Sequence, residues 1–143
     1  MRTILLRTIL VCCFLQVLSI GIPEEFLDEI VLECMKEENI DNSKLSAVMS
    51  ENFIIETEDP NIHKLLECSF EKHMVLNDNG ELNTNKITSI VNKHMTPLFK
   101  NIKKDHFDVT EKAVVKCKNP EGNTWGVRMM NFHNCVVSEL RSV

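Results

Sequence analysis

The sequence predicts an all-α protein of about six short helices. Apolar residues recur at three- and four-residue steps in separate stretches, the spacing that places side chains on one face of a helix. The sequence contains no alternating apolar and polar runs long enough for a sheet. Asp, Asn, Ser, Gly or Pro separates these stretches, so the pattern indicates helices packed on one another.

The first two helices are expected before Phe53. The first begins at Pro23 with an acidic first turn, and both features are favourable at a helix N-terminus. Its apolar face holds Phe26, Leu27, Ile30, Val31 and Cys34. The second follows the capping stretch Asp41-Asn42-Ser43. Its apolar face holds Leu45, Val48 and Met49.

Two further helices are expected on either side of an Asn-, Asp- and Gly-containing stretch at 77–80. Asp59-Pro60 introduces the third helix, and Asn83 or Thr84 caps the fourth, which Pro97 ends. The apolar face of the third carries Ile62, Leu65, Leu66 and Phe70. The apolar face of the fourth carries Ile87, Ile90, Val91 and Met95.

The last two helices are expected near the end of the sequence. The fifth opens at Asp108-Val109-Thr110-Glu111 and runs through Cys117 to Asn119-Pro120. The sixth extends from about Asn123 to Leu140 and presents Trp125, Met129, Phe132 or His133, and Val136.

Residues 1–21 have the pattern of a secretory signal peptide. Arg2 and Arg7 precede an apolar stretch at 9–20, and the small residues Ser19 and Gly21 suit cleavage after Gly21. The stretch is shorter than the roughly 18 to 20 apolar residues that span a bilayer. We therefore expect residues 22–143 to form one domain of a secreted, extracellular protein.

The expected mature chain keeps four cysteines, at positions 34, 68, 117 and 135. An even number in an oxidising compartment predicts two disulfides, and four cysteines allow three pairings. Residues 22–143 contain 14 basic and 21 acidic residues, so nucleic acid is a poor partner.

The sequence offers no pattern for a metal, a cofactor or catalysis. When Gly80 is aligned with the invariant glycine of an EF-hand loop, Val75 and Lys86 occupy positions that need oxygen ligands. No Cys-x-x-Cys or His-x-x-x-His pair occurs, and the even cysteine count argues against a catalytic thiol. We expect no metal, no cofactor and no enzymatic activity, and we interpret residues 77–80 as a turn.

Signal peptide, length, helical pattern, acidity and cysteine positions together resemble the insect odorant-binding proteins of the pheromone and general odorant family. In that family six cysteines pair first with third, second with fifth and fourth with sixth. The resemblance implies the bridges Cys34–Cys68 and Cys117–Cys135. The family's second and fifth cysteines correspond to Lys64 and Gly126, so one complete bridge is missing, as in the four-cysteine "C-minus" subclass.

The resemblance further implies six helices around an internal apolar cavity that reversibly binds a small hydrophobic molecule such as an odorant or pheromone. From the helix faces, the expected ligand-binding residues are Ile54, Leu66, Phe70, Met74, Leu76, Ile87, Val91, Met95, Leu98, Val114, Trp125, Met129 and Phe132. Candidates for a polar contact are Trp125, Asn131 and His133. A membrane odorant receptor is a possible partner, and the protein is expected to be a monomer or a homodimer. The alternatives are a non-olfactory secreted carrier of lipids or nutrients, and a ligand-free helical signalling or structural protein.

Overall fold

The computed structural model describes residues 22, 27–103 and 106–143, and in this part of the chain the fold is all-α. Six α-helices follow one another within the described ranges, with a short 3₁₀ turn at Thr96–Leu98. The helices are α1 (Glu29–Glu37), α2 (Asn42–Val48), α3 (Pro60–Lys72), α4 (Thr84–His94), α5 (His106–Lys116) and α6 (Trp125–Arg141). The expected fold class is therefore confirmed. None of the described helices has the length and apolar character of a membrane span.

Asx and Thr side chains define most helix starts. Asp41, Asp59 and Asn83 each accept a hydrogen bond from a backbone N–H in the first turn of α2, α3 and α4, respectively. Pro60 occupies the first turn of α3, where its missing N–H costs nothing. These starts agree with the sequence pattern because capping is a local interaction.

Two helix starts differ from expectation. Leu27 and Asp28 are not helical, and α1 begins at Glu29, because the Asp28 carboxylate caps the helix by accepting from Val31 N at 2.8 Å. Pro23, at which this helix was expected to begin, lies outside the described residues, as does the expected signal peptide. Further along the chain, α5 begins at His106, two residues before the expected start at Asp108.

The expected turn at 77–80 closes a small hairpin between α3 and α4. Gly80 N–H donates to the Asn77 carbonyl at 2.9 Å, and Gly80 adopts a φ of 80°, which glycine tolerates without penalty. Leu76 and Leu82 form an isolated bridge on either side of the turn. A second isolated bridge, between Met49 and Ile55, ties together the two ends of the loop after α2.

Buried side chains form two clusters. The N-terminal cluster consists of Cys34, Met35, Ile40, Leu45, Ile55, Ile62 and Leu65. The C-terminal cluster consists of Val75, Ile87, Val91, Phe99, Ile102, Ala113, Val114, Cys117, Phe132, Val136, Val137 and Leu140. Helix α6 packs against both α3 and α5, so it connects the two clusters.

Each cluster contains one disulfide. Cys34–Cys68 joins α1 to α3, and Cys117–Cys135 joins the end of α5 to α6. Both pairings are those that the resemblance implied. Ion pairs join the same two helices as Cys34–Cys68: the Lys72 ammonium of α3 lies 2.9 Å from Glu33 and 2.6 Å from Glu37 of α1. These carboxylates raise the pKa of Lys72.

Helices α3 and α6 approach each other closely at Gly126. A methyl group at this position would lie 2.7 Å from His63 Cβ, and Gly126 N–H donates to Glu67 Oε1 at 2.9 Å. The Glu67 carboxylate therefore sits at the positive end of α6, a favourable place for a negative charge. The α3 side chains that face Gly126 are those of His63 and Glu67. Lys64, at the position of the family's second cysteine, is exposed.

Candidate ligand cavity

An apolar cavity of about 210 Å³ lies between the two clusters. Leu45, Ile55 and Leu65 reach it from the N-terminal cluster. Val75, Ile87, Val91, Phe132 and Val136 reach it from the C-terminal cluster. Because both clusters contribute to its wall, the cavity depends on how the two halves are held together.

Seven of the residues expected from the helix faces line this cavity: Leu66, Phe70, Ile87, Val91, Met95, Leu98 and Phe132. They come from α3, α4, residues 95 and 98 just after α4, and α6, and these segments converge on one space. Phe70 and Phe132 meet edge to face, with ring centroids 5.8 Å apart. The helical periodicity thus identified part of the wall, and whether these residues contact a ligand stays a prediction.

The other six expected residues lie outside the cavity. Val114 and Met129 are fully buried in the packed interior, and Ile54 packs against the C-terminal cluster. Trp125 lies beneath the Arg128 guanidinium, 5.6 Å from the ring centroid.

Met74 and Leu76 point to solvent, with 72% and 44% of their surface exposed, respectively. Met74 lies two residues beyond Lys72, the last residue of α3, and has a φ of 53°, so the backbone has already turned away from the helix face that the pattern assumed. Both residues line a separate polar depression at the 77–80 turn.

Five polar side chains interrupt the apolar wall: Asp28, Ser69, His73, His94 and His133. Asp28 Oδ2 lies 2.9 Å from His73 Nε2, and Asp28 Oδ1 accepts from Val31 N. The pair is 11% and 14% exposed, respectively, and it joins the start of α1 to the end of α3. No lysine or arginine lies among the described lining residues, so the wall has no permanent positive charge.

His133 and Asn134 of α6 fix the loop that precedes α3. His133 Nε2 donates to the Phe53 carbonyl at 2.7 Å, and Asn134 makes two hydrogen bonds to Ile55. Burial lowers the pKa of His133, an effect that the Phe53 carbonyl only partly opposes. Phe53 and Ile55 both line the cavity. Through His133 and Asn134, α6 therefore positions part of the cavity wall.

Contacts between residues distant in sequence position part of the wall, including Ile22, Phe53 and Ile55, which were not among the expected ligand-binding residues. Ile22 lines the cavity, and its backbone N–H points to Asn42 Oδ1 at 3.1 Å and Ser46 Oγ at 3.3 Å. Phe53, Ile55 and His133 belong to contacts between residues about 80 positions apart. The two other polar candidates on α6 lie outside the cavity. Asn131 donates to the Glu121 carbonyl on the surface, and Trp125 packs beneath the Arg128 guanidinium.

The ligand atoms of one acidic and two cysteine residues in the described part of the chain lie within 4.8 Å of one another. They belong to Cys34, Glu37 and Cys68. Both sulfur atoms are bound to each other in the disulfide, so neither can act as a thiolate ligand.

Two disulfides hold the helices around an apolar cavity, the architecture of a small helical protein suited to enclosing a hydrophobic molecule. The model of the PBP/GOBP family matches residues 24–139, and the chain belongs to this family of insect odorant-binding proteins. Members of the family are secreted, non-enzymatic proteins that bind small hydrophobic ligands. No curated protein and no solved structure matches the chain significantly.

Proposed function

We propose that this protein is a secreted carrier that reversibly binds one small hydrophobic molecule, such as an odorant or pheromone, in the cavity between the two clusters. The observation that supports the proposal is the cavity itself. Apolar side chains that line such a space forgo dispersion contacts, and a ligand that fills it restores them. A helical protein with only a structural or signalling role has no need of such a space.

The proposed contact residues are the seven expected side chains that line the cavity, together with Phe53, Ile55 and His133. Met95 adds an unbranched thioether that adapts its shape to different guests. The cavity volume of about 210 Å³ lies below the roughly 300–1,000 Å³ of typical ligand pockets. This volume favours a molecule smaller than a typical drug.

Secretion and subclass belong to the same proposal. The pattern of residues 1–21 and the family's secretion support cleavage after Gly21. Lys64 and Gly126, at the positions of the family's second bridge, support membership of the four-cysteine subclass. Intact mass and N-terminal sequencing of protein secreted from insect cells test the cleavage site.

The ligand-binding test uses the fluorescent probe N-phenyl-1-naphthylamine. We expect its emission to rise and shift to the blue in the presence of the protein, and to fall when small apolar molecules compete. Met95→Trp, which fills the cavity, should weaken probe binding at least about tenfold, whereas Met74→Trp changes an exposed methionine and should not.

Two results would contradict the carrier function. One is an unchanged probe spectrum with folded wild-type protein, and the other is equal probe affinity of Met95→Trp and Met74→Trp. Delivery to a membrane odorant receptor is the corresponding physiological proposal. Expression restricted to chemosensory tissue supports it, and expression elsewhere supports a non-olfactory carrier.

A further inference from the structure

The polar side chains of the cavity wall specify the kind of head group that a ligand can bring into it. The described lining residues include one carboxylate, Asp28, and no lysine or arginine. The Asp28 carboxylate and the His73 imidazole are already paired with each other at 2.9 Å. A negatively charged head group would therefore lose its hydration, face a like charge and find no fixed cation.

His133 lines the cavity, and the described hydrogen bond of its ring, to the Phe53 carbonyl, engages only Nε2. The Phe53 carbonyl can only accept, so the 2.7 Å contact places the ring proton on His133 Nε2. In this tautomer Nδ1 carries the lone pair of the imidazole. Desolvation lowers the pKa of the ring, which keeps it neutral at pH 7 and above. A neutral hydroxyl group can donate to such a nitrogen, whereas an ether oxygen cannot.

We propose that the cavity selects small neutral molecules with a hydroxyl group, namely alcohols or phenols, over the corresponding carboxylates, with His133 Nδ1 as the acceptor and Asp28 as the group that excludes anions. This inference rests on the proposed carrier function. It assigns ligand selectivity to His133 of α6, which was among the expected polar candidates, and to Asp28 at the start of α1, which was not.

The test compares three ligands of similar size: 1-octanol, its isomer 1-methoxyheptane, and octanoate. Competition with N-phenyl-1-naphthylamine is measured at pH 8, where histidines with the ordinary pKa of about 6.5 are neutral. We expect 1-octanol to bind about fivefold tighter than the ether, the effect of one hydrogen bond, and at least about tenfold tighter than octanoate.

Two variants separate the roles of the two residues. His133→Phe removes the acceptor and should abolish the preference for the alcohol over the isomeric ether. His63→Phe is the matched control, because His63 Nε2 also contacts a carbonyl of the same loop, that of Thr57, at 2.9 Å but does not line the cavity. Asp28→Asn keeps an acceptor for Val31 N and should strengthen octanoate binding several-fold.

The ratio of two affinities in one protein does not depend on the fraction that is folded. If His133→Phe does not fold, the wild-type affinity ratios still test the preference for the alcohol over the ether and over octanoate, and Asp28→Asn still tests the exclusion of anions. Equal wild-type affinities for the alcohol and the ether, or for the alcohol and octanoate, would overturn the inference while leaving the carrier function intact. Failure of both neutral compounds to bind would instead overturn the carrier function, and this inference with it.

Discussion

The side-chain amide of Asn134 pairs with both backbone groups of Ile55. Ile55 N–H donates to Asn134 Oδ1 at 2.8 Å, and Asn134 Nδ2 donates to the Ile55 carbonyl at 2.7 Å. One residue of α6 thus holds a loop 79 positions earlier in the sequence in the way that a neighbouring β-strand would. Since Ile55 lines the cavity, this pair connects the fold directly to the binding site.

Replacing Asn134 tests the importance of that pair. Asn134→Asp keeps an acceptor for Ile55 N–H but leaves the Ile55 carbonyl without its donor and adds a charge, so the free energy of unfolding should fall by about 1–3 kcal/mol. Urea denaturation measures the change. Asn131→Asp is the control on the same helix, because Asn131 is exposed and bonds only to the Glu121 carbonyl. Equal losses in the two variants would show that the Asn134–Ile55 pair has no special role.

Gly126 is required at the contact between α3 and α6. Gly126→Ala improves helix propensity by up to about 1 kcal/mol. The new methyl group would however lie 2.7 Å from His63 Cβ and 3.0 Å from the His63 carbonyl, atoms that cannot swing away. We expect a net destabilisation of about 1–3 kcal/mol in thermal or chemical unfolding. Ser138→Ala, at an exposed position of α6, should be close to neutral; a neutral Gly126→Ala would mean that the helices can separate at no cost.

His133 makes stability depend on pH. Its folded-state pKa is lowered below the unfolded value of about 6.5 by burial, so the unfolded chain binds the proton more readily. The contribution of the neutral ring is fully present above pH 6.5 and is lost as the pH falls from there towards the folded-state pKa. His133→Gln cannot titrate, and its amide can still donate to the Phe53 carbonyl. Its unfolding free energy should therefore change less between pH 7 and pH 5 than that of the wild type, and identical pH profiles would contradict this account.

The two disulfides should contribute unequally. Cys34–Cys68 spans 34 positions and Cys117–Cys135 spans 18, so the chain-entropy model gives about 4 kcal/mol for the first and about 3 kcal/mol for the second. We expect Cys34→Ser with Cys68→Ser to lower the denaturation midpoint more than Cys117→Ser with Cys135→Ser. The reverse order, measured at the same pH and protein concentration, would show that packing around the second bridge outweighs loop entropy.

The sequence predicted local features well and distant ones poorly. Asp41, Asp59 and Asn83 were identifiable as helix caps because a cap involves residues within one turn. The cavity-facing residues of α3 and α4 followed from helical periodicity, which fixes side-chain direction inside a helix. Met74 and Leu76 show where this reasoning ends, since the backbone leaves the helix at His73.

Other parts of the site could not be predicted from local pattern. The pairs Asp28–His73 and His133–Phe53 join residues 45 and 80 positions apart, and no short-range pattern marks them. The disulfide pairing needed the family resemblance, because four cysteines alone allow three arrangements. Tertiary packing decided the two side-chain pairs, which became visible only in the structure.

Both described disulfides close loops that lie entirely on one side of the turn at 77–80, so no described covalent cross-link joins the two sides. A single cut in this exposed turn would leave two separately stapled fragments, associated only through contacts such as Asn134 with Ile55. The cavity would then be the interface of a two-part complex. A molecule bound there would touch both fragments and hold them together, so its affinity could be measured by fragment complementation.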